Sequence, residues 1–283
     1  MFIKEVLIDR LPYHMIPLGR WMAIHDGLVD RTPRKKCSGK CGAERKTSDL
    51  VCGTKILEAG CGTGQLSAFL SVANRTIYGA DMCMNSLRLA EDFRKKNLGE
   101  RLRFVQMNLF RPPFKDGSFD LVISNGVLHH TSDPRLAFKS IARLVKPGGY
   151  ILIGPYHKYG RLITDTRRKI FGLFGDSLDF LDPQLRKVRA STGKWKAWYM
   201  DQYKNPHESK HTIGETVGWF EDEGFDMIKT IPKTKLFSNW SENELLFVKD
   251  EIAAPGELLL TELSMVTSGS REGGFFIVIG KKR

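Results

Sequence analysis

The chain has no run of about 18 apolar residues, the minimum for a helix that crosses a bilayer, and so it offers no membrane span. No uncharged apolar signal core follows Met1-Phe2-Ile3 either, because Lys4, Glu5, Asp9 and Arg10 come at once. The expected location is cytoplasmic. Cysteine is scarce: Cys37, Cys41, Cys52, Cys61 and Cys83 are an odd number, which argues against a disulfide framework in a reducing compartment. Cys37 and Cys41 share a basic loop with Cys52 as the only third thiol nearby, and no His pair stands beside them. A zinc site needs about four ligands at suitable spacing, so no metal is expected. What remains is ordinary for a soluble globular protein: 283 residues, 41% hydrophobic and 27% charged, enough for one large α/β domain or a domain with a cap.

Charge is present in excess of one sign. The formal net charge is +12, and two segments carry nearly all of it. Residues 31–50 hold seven Lys/Arg against two acids, and residues 156–200 hold ten against four. Such local fields attract nucleic acid, an anionic membrane surface or an acidic substrate; the plainer reading is solvated helix faces.

Four regions follow from the patterning. Residues 1–50 are an extension in which Trp21-Met22-Ala23-Ile24 begins a short apolar helix. Residues 51–155 alternate β-rich runs with helical stretches, the mark of a parallel sheet with crossover helices. The strands are read at 55–58, 76–80, 103–106, 121–124 and 150–154, and the helices at 65–72, 85–96 and 134–145. Asp133 is the expected N-cap of the last helix and Pro134 its first residue; Lys146-Pro147-Gly148-Gly149 stops it. Residues 156–211 break the alternation with basic and aromatic content. Residues 212–283 complete the sheet, with a helix from Thr212 to Glu223, a capping box from Glu215, strands at 225–231 and 275–279, and an irregular insertion at 233–272. The expected fold is therefore α/β: a Rossmann-like, mostly parallel sheet of seven strands with helices on both faces, an antiparallel last strand, and a helical lid in which the two insertions fold together over the carboxyl edge.

The chemistry concentrates at Ile56-Leu57-Glu58-Ala59-Gly60-Cys61-Gly62-Thr63-Gly64-Gln65, where a strand enters a glycine-rich turn and then a helix. Glycines let backbone approach a ligand closely. A dinucleotide fingerprint asks for a third glycine where Gln65 stands, so the pattern is E-x-G-x-G-x-G and suits a ligand without a pyrophosphate. Asp81 ends the second strand 21 residues after Gly60, in place to accept both hydroxyls of a ribose. Asn108, Leu109 and Phe110 follow the third strand as a candidate adenine site. The fourth strand ends in Asn125-Gly126-Val127-Leu128-His129-His130. All lie at the carboxyl ends of successive strands, where open α/β sheets bind ligands.

Together with Phe119-Asp120-Leu121-Val122 and Leu144-x-Lys146-Pro147-Gly148-Gly149, these motifs resemble the class I S-adenosylmethionine-dependent methyltransferases, in particular the small-molecule branch that includes ubiquinone and sterol methyltransferases. The similarity covers about residues 54–155. It implies S-adenosylmethionine as cofactor, with Gly60, Cys61, Gly62 and Gly64 beneath its methionine portion and Glu58 nearby. Asp81 holds the ribose, Met82, Asn108 and Leu109 border the adenine, and Asn125 and Val127 flank the pocket. Asn108 departs from the aspartate that many members carry. Transfer is expected by in-line displacement, where positioning two partners supplies about 7–11 kcal/mol of a barrier in well-oriented cases.

A base is needed only for an unionised hydroxyl or a C–H acceptor, and His is the usual choice near neutral pH. His130, His207 and His211 are the candidates, with His129, Tyr156, His157, Trp198 and Tyr203 expected to line the acceptor side. His207 and His211 lack the His-Glu-x-x-His order and a third ligand, so they do not read as a metal site. Trp195, Trp198, Tyr199 and Tyr203 fit an acceptor wall, a base-stacking platform or simple helix packing. The expected partner is a small-molecule acceptor, an acidic one being compatible with the charge. Nucleic acid is the alternative, weakened because Asn125-Gly126-Val127-Leu128 stands where amino-methylating nucleic-acid enzymes resemble Asn/Asp-Pro-Pro-Tyr. A non-catalytic cofactor-binding scaffold is the third reading.

Overall fold

Adjacent apolar residues of the strands go to opposite faces of one sheet, as a period of two requires. Ile56, Ile123, Leu152 and Ile279 enter one core cluster, while their neighbours Leu57, Val122, Ile151 and Val278 enter the other. The computed structural model describes residues 53–71, 75–97, 101–189, 192–235, 246–251, 253–268 and 274–283. The extension read at 1–50, with its short helix and with Cys37 and Cys41, lies outside these residues, as does Cys52.

The strands are β1 (Lys55–Ala59), β2 (Thr76–Asp81), β3 (Leu102–Gln106), β4 (Phe119–Asn125), β5 (Val145–Gly154), β6 (Phe225–Ile231) and β7 (Ile277–Lys282). Their order is β3-β2-β1-β4-β5-β7-β6. The pairs from β3 across to β5 are parallel, and β7 runs antiparallel between β5 and β6. This is the seven-stranded, mostly parallel sheet that the sequence leads one to expect. Strands β1 and β4 read as nearly continuous apolar runs because helices cover both faces.

On one face lies α1 (Gln65–Leu70), which buries Leu66 and Phe69; α2 (Met84–Asn97) adds Phe93. On the other, α3 (Pro134–Ala142) buries Phe138 and Ile141 against Phe220 of the later helix α7 (Ile213–Asp222). The Asp133 carboxylate accepts the Leu136 N–H at 2.9 Å, with Pro134 starting the helix. Thr212 caps α7 in the same way, accepting the Glu215 N–H at 3.1 Å. Two family motifs turn out to brace the opposite end of the sheet from the cleft: the Asp120 carboxylate joins Lys146 at 2.7 Å and the Lys55 N–H at 2.8 Å.

Several sequence boundaries need correction, beginning with β4, which starts at Phe119 rather than 121, and β5, which starts at Val145 rather than 150. Helix α3 stops at Ala142 rather than Val145, because Leu144 and Val145 peel away to bond the start of β4. Strand β7 begins two residues later than read, at Ile277, and runs to Lys282 in register with Phe225. The insertion read as irregular at 233–272 contains helix α8 (Pro255–Ser268), which packs on α7 through Leu258 and Met265; Glu262 accepts the Gly214 N–H at 2.9 Å. Leu259, Leu260 and Leu263 of the same helix face outward, so no clean apolar stripe announces it.

The excursion after β5 is helical: α4 (Leu162–Phe174), a 3-10 segment (Gly175–Leu181), α5 (Pro183–Val188) and α6 (Thr192–Tyr203). It has a core of its own, formed by Phe171, Leu185, Tyr199 and Tyr203. It leaves and rejoins the fold at one place, where Lys158 N–H bonds His211 O and His211 N–H bonds Tyr156 O, both at 2.9 Å.

Candidate functional site

The cleft forms where four parallel strands end side by side. At the end of β1 the chain must turn sharply, and it does so through Gly60 (φ 90°), whose N–H, with that of Cys61, bonds the Ala80 carbonyl of β2. A Cβ on Gly60 would lie 2.3 Å from a Val127 methyl carbon, so the loop and the end of β4 are in direct backbone-to-side-chain contact. Gly64 is closed in similarly by Phe104 and Ala90, whereas a Cβ on Gly62 would meet nothing within 4 Å. Asp81, the last residue of β2, accepts the Gly62 N–H on one carboxylate oxygen and the Cys83 N–H on the other, each at 2.8 Å. It thereby fixes the glycine loop and keeps lone pairs for a ligand.

A cleft of about 320 Å³ opens against this frame. Of the residues singled out from sequence, Gly60, Asp81, Met82, Asn108, Leu109, Phe110, Val127 and His130 line it; Met107 and Thr131 join them. Sequence reasoning passed over Met107 and Thr131, although each sits one residue from a position it did single out. Gln106, also passed over, donates to the Met82 carbonyl at 3.0 Å and holds the rim. Asn108 turns its side-chain oxygen back onto the Phe110 N–H at 2.9 Å, which leaves its amide hydrogens and one lone pair for a ligand.

Glu58, Cys61 and Gly64 are buried behind the lining, whereas Gly62 is partly exposed. Glu58 is buried and accepts a hydrogen bond from Ser67 Oγ. Burial pushes its carboxyl up to about 8, against the lowering effect of the Ser67 bonds; the nearby Asp81 charge adds to the rise. Burial likewise pushes the Cys61 thiol well up, so it is no nucleophile at neutral pH. Asn125 lies half-buried at the end of β4, its side-chain oxygen against Gly154.

The histidines divide sharply. His130 lines the cleft, and its Nδ1 is 2.9 Å from the His207 carbonyl and 3.0 Å from Asn205 Nδ2. The Asn205 amide is itself oriented by accepting the His207 N–H at 3.2 Å. His207 thus contributes its backbone, while its exposed side chain is absent from the lining. His211 is not in the cleft: it bonds Ser209 Oγ and Glu215 at 2.9 and 2.8 Å and packs on Trp219. Glu215 is therefore engaged by His211, which takes the carboxylate a capping box would turn back on Thr212.

The expected acceptor wall is also placed elsewhere. His129 is buried, its ring centroid 3.9 Å from that of Tyr156 and tilted by 36°. Tyr156 is buried between His129 and the Arg161 guanidinium, with its hydroxyl accepting from Gln202 at 2.8 Å. His157 is fully buried, accepts the Gly160 N–H at 3.2 Å, and is held neutral down to about 4 by burial. Trp198 and Tyr203 donate to Asp182 at 3.0 and 2.8 Å inside the excursion's own core. These five side chains build structure; composition alone gave no sign of which way they face.

A sheet with this order and a glycine loop against a carboxylate at the ends of β1 and β2 defines a Rossmann-like nucleoside-binding domain. A model of the methyltransferase domain matches residues 57–153. A ubiquinone biosynthesis O-methyltransferase of Vibrio parahaemolyticus is 30% identical over 185 residues, 60% of this chain and 76% of that protein. An uncharacterized protein of Synechococcus is 33% identical over 198 residues, 62% of this chain, and the match spans about half (48%) of that relative's length. Among solved structures, PKMT2 of Rickettsia typhi, in complex with AdoHcy, superposes with a TM-score of 0.56 at 12% identity, over 81% of this chain and 50% of that one. The chain belongs to the class I S-adenosylmethionine-dependent methyltransferases.

The lining suits that family's cofactor. Met82, Met107, Leu109, Phe110 and Val127 offer an apolar slot for a purine, and Asp81 is the carboxylate at its edge for a diol.

Proposed function

We propose that this protein transfers a methyl group from S-adenosylmethionine to a small-molecule acceptor by in-line displacement, with the acceptor entering on the His130 side of the cleft. The observation that carries the reading is the lining itself: a predominantly apolar slot with Asp81 at one edge and His130 and Thr131 at the other. When bound, S-adenosylmethionine supplies an electrophilic methyl carried on a sulfonium. The chain supplies orientation and exclusion of water. Gly60 and Val127 set the floor, and Asp81 accepts from hydroxyls. His130 has its Nδ1 engaged by His207 and Asn205, so proton exchange with an acceptor falls to Nε2.

The segment 205–209 acts as a strap on the acceptor side. Besides the contacts to His130, the Ser209 N–H bonds the His129 carbonyl at 2.8 Å. The excursion 156–211 is in this reading a lid anchored at both ends. A small acceptor is favoured over a nucleic acid because Trp195, Trp198, Tyr199 and Tyr203 pack inside the excursion, where they cannot stack on bases.

Calorimetry with S-adenosylmethionine tests the cofactor half; the absence of any binding heat would end the enzyme reading. Incubation of a metabolite extract with methyl-labelled cofactor, followed by mass spectrometry, tests the other half. Label appearing only in RNA or protein would defeat the small-acceptor reading.

A further inference from the structure

Among the described residues, four large apolar side chains stand exposed within the nine residues around the carboxyl end of α4: Leu173 (80% exposed), Phe174 (65%), Phe180 (51%) and Leu181. Scattered exposed apolar residues are ordinary, but a cluster marks an interaction surface. Three acids of the excursion are taken into its interior. Asp179 and Asp182 turn inward to accept from Trp195, Trp198 and Tyr203, and Glu208 is buried between Arg161 and Arg168. Lys158, Lys169, Arg186 and Lys196 turn outward, as does Arg189, which also lies 3.7 Å from Asp179. Among these residues the charge presented to solvent is therefore positive. Helical spacing mixes the two kinds of side chain on single stripes: Lys169 with Leu173 on α4, and Lys196 with Met200 on α6.

We propose that this surface docks the protein on an anionic lipid bilayer. Leu173, Phe174 and Phe180 enter the boundary between headgroups and acyl chains, and the surrounding cations meet the lipid anions. This is the combination of apolar tip and basic flank that holds proteins in the membrane interface without a span. Nucleic acid complements the charge, and Phe174 and Phe180 offer rings to bases, but the aliphatic Leu173 and Leu181 beside them are left unsatisfied, and Tyr199 and Tyr203 are buried with Trp195 and Trp198 packed on them.

Flotation of the full chain with vesicles tests this without cofactor or acceptor, so it succeeds or fails apart from the methyl-transfer reading. The expected result is recovery with vesicles of phosphatidylcholine containing one-third phosphatidylglycerol, little recovery with phosphatidylcholine alone, and loss with added salt. The double variant Leu173→Glu, Phe174→Glu should weaken partitioning at least about tenfold, and Lys169→Glu about fivefold. Leu89→Glu, at an equally exposed position on α2, should leave it unchanged. Circular dichroism melts check that the variants stay folded. Equal recovery on neutral vesicles, no recovery on anionic ones, or indifference to the double variant overturns the proposal. So does salt-sensitive retention on bulk tRNA without vesicle recovery, which assigns the surface to nucleic acid instead.

Discussion

Between Lys55 and Gly154 the side chains that set the shape are apolar and alternate residue by residue. Between Tyr156 and His211 a small aromatic core is tied in by charged and hydrogen-bonded side chains whose partners lie 16 to 47 residues away. The sheet region is stabilised by burial, roughly in proportion to area, and tolerates volume-conserving change. In the excursion, Arg161 is fully buried (0% exposed), and its guanidinium forms two parallel bonds to Glu208 at 3.0 and 2.7 Å while lying 3.9 Å over the Tyr156 ring. Arg168 shares the same carboxylate at 2.7 Å. A buried network of this kind costs more to break than to replace, since removing one partner strands the other. The contrast teaches that one chain can anchor its sheet with apolar burial and its helical excursion with charge.

The comparison breaks most visibly at Glu208. Glu208→Ala leaves Arg161 buried without a carboxylate, at a cost of about 3–5 kcal/mol. Denaturant melts should show the aromatic signal of the excursion lost before the far-ultraviolet signal of the sheet; a single coincident transition with unchanged midpoint would erase the distinction drawn here.

Next in size are the effects on the cleft. Asp81→Ala removes the acceptor of the Gly62 and Cys83 N–H groups as well as the proposed ribose contact. It should weaken S-adenosylmethionine at least about tenfold by calorimetry. Gly60→Ala should do as much, because the added methyl group meets Val127 at a backbone angle that alanine avoids. Affinity left intact by both substitutions would place the cofactor elsewhere.

Two buried titrating groups offer a finer test, with opposite signs. Glu58 has its pKa raised from 4.5 to about 8, so the native state holds a proton that the unfolded chain releases. Its contribution to stability is full below 4.5 and fades as pH rises through 8. His157 has its pKa lowered from 6.5 to about 4, so its contribution is full above 6.5 and fades as pH falls through 4. Melting temperature followed from pH 6.5 to 8 should therefore fall in a Glu58-dependent way and flatten in Glu58→Gln. A flattened acid limb is expected only in His157→Gln. The smallest effect is at a cap: Thr212→Ala should cost about 1 kcal/mol in the same melts.

The frame was largely legible before any coordinates, because its determinants are local. Ile56 and Leu57 declare their faces by parity, Asp133-Pro134 declares a helix start, and the glycine spacing declares a loop. The histidines were not legible in the same way. His129, His130 and His157 are of one chemical type, yet only His130 faces the cleft, and direction depends on partners such as Tyr156 and Asn205 far along the chain. The Arg161–Glu208 pair spans 47 residues and has no periodicity to betray it. Helix α8 was missed because Leu259, Leu260 and Leu263 point outward and blur the pattern.

The paired backbone at Tyr156–Lys158 and His211 has a consequence for how this chain can change. Because the excursion departs and returns at one stitched joint, its length and sequence can be exchanged without altering the spacing of β5 or α7. Lengthening a closed loop costs only about 0.6 kcal/mol per doubling. The excursion is in that sense a cassette: a natural crossover point for recombination, and a graft site for engineers who wish to move one helical insertion onto another frame.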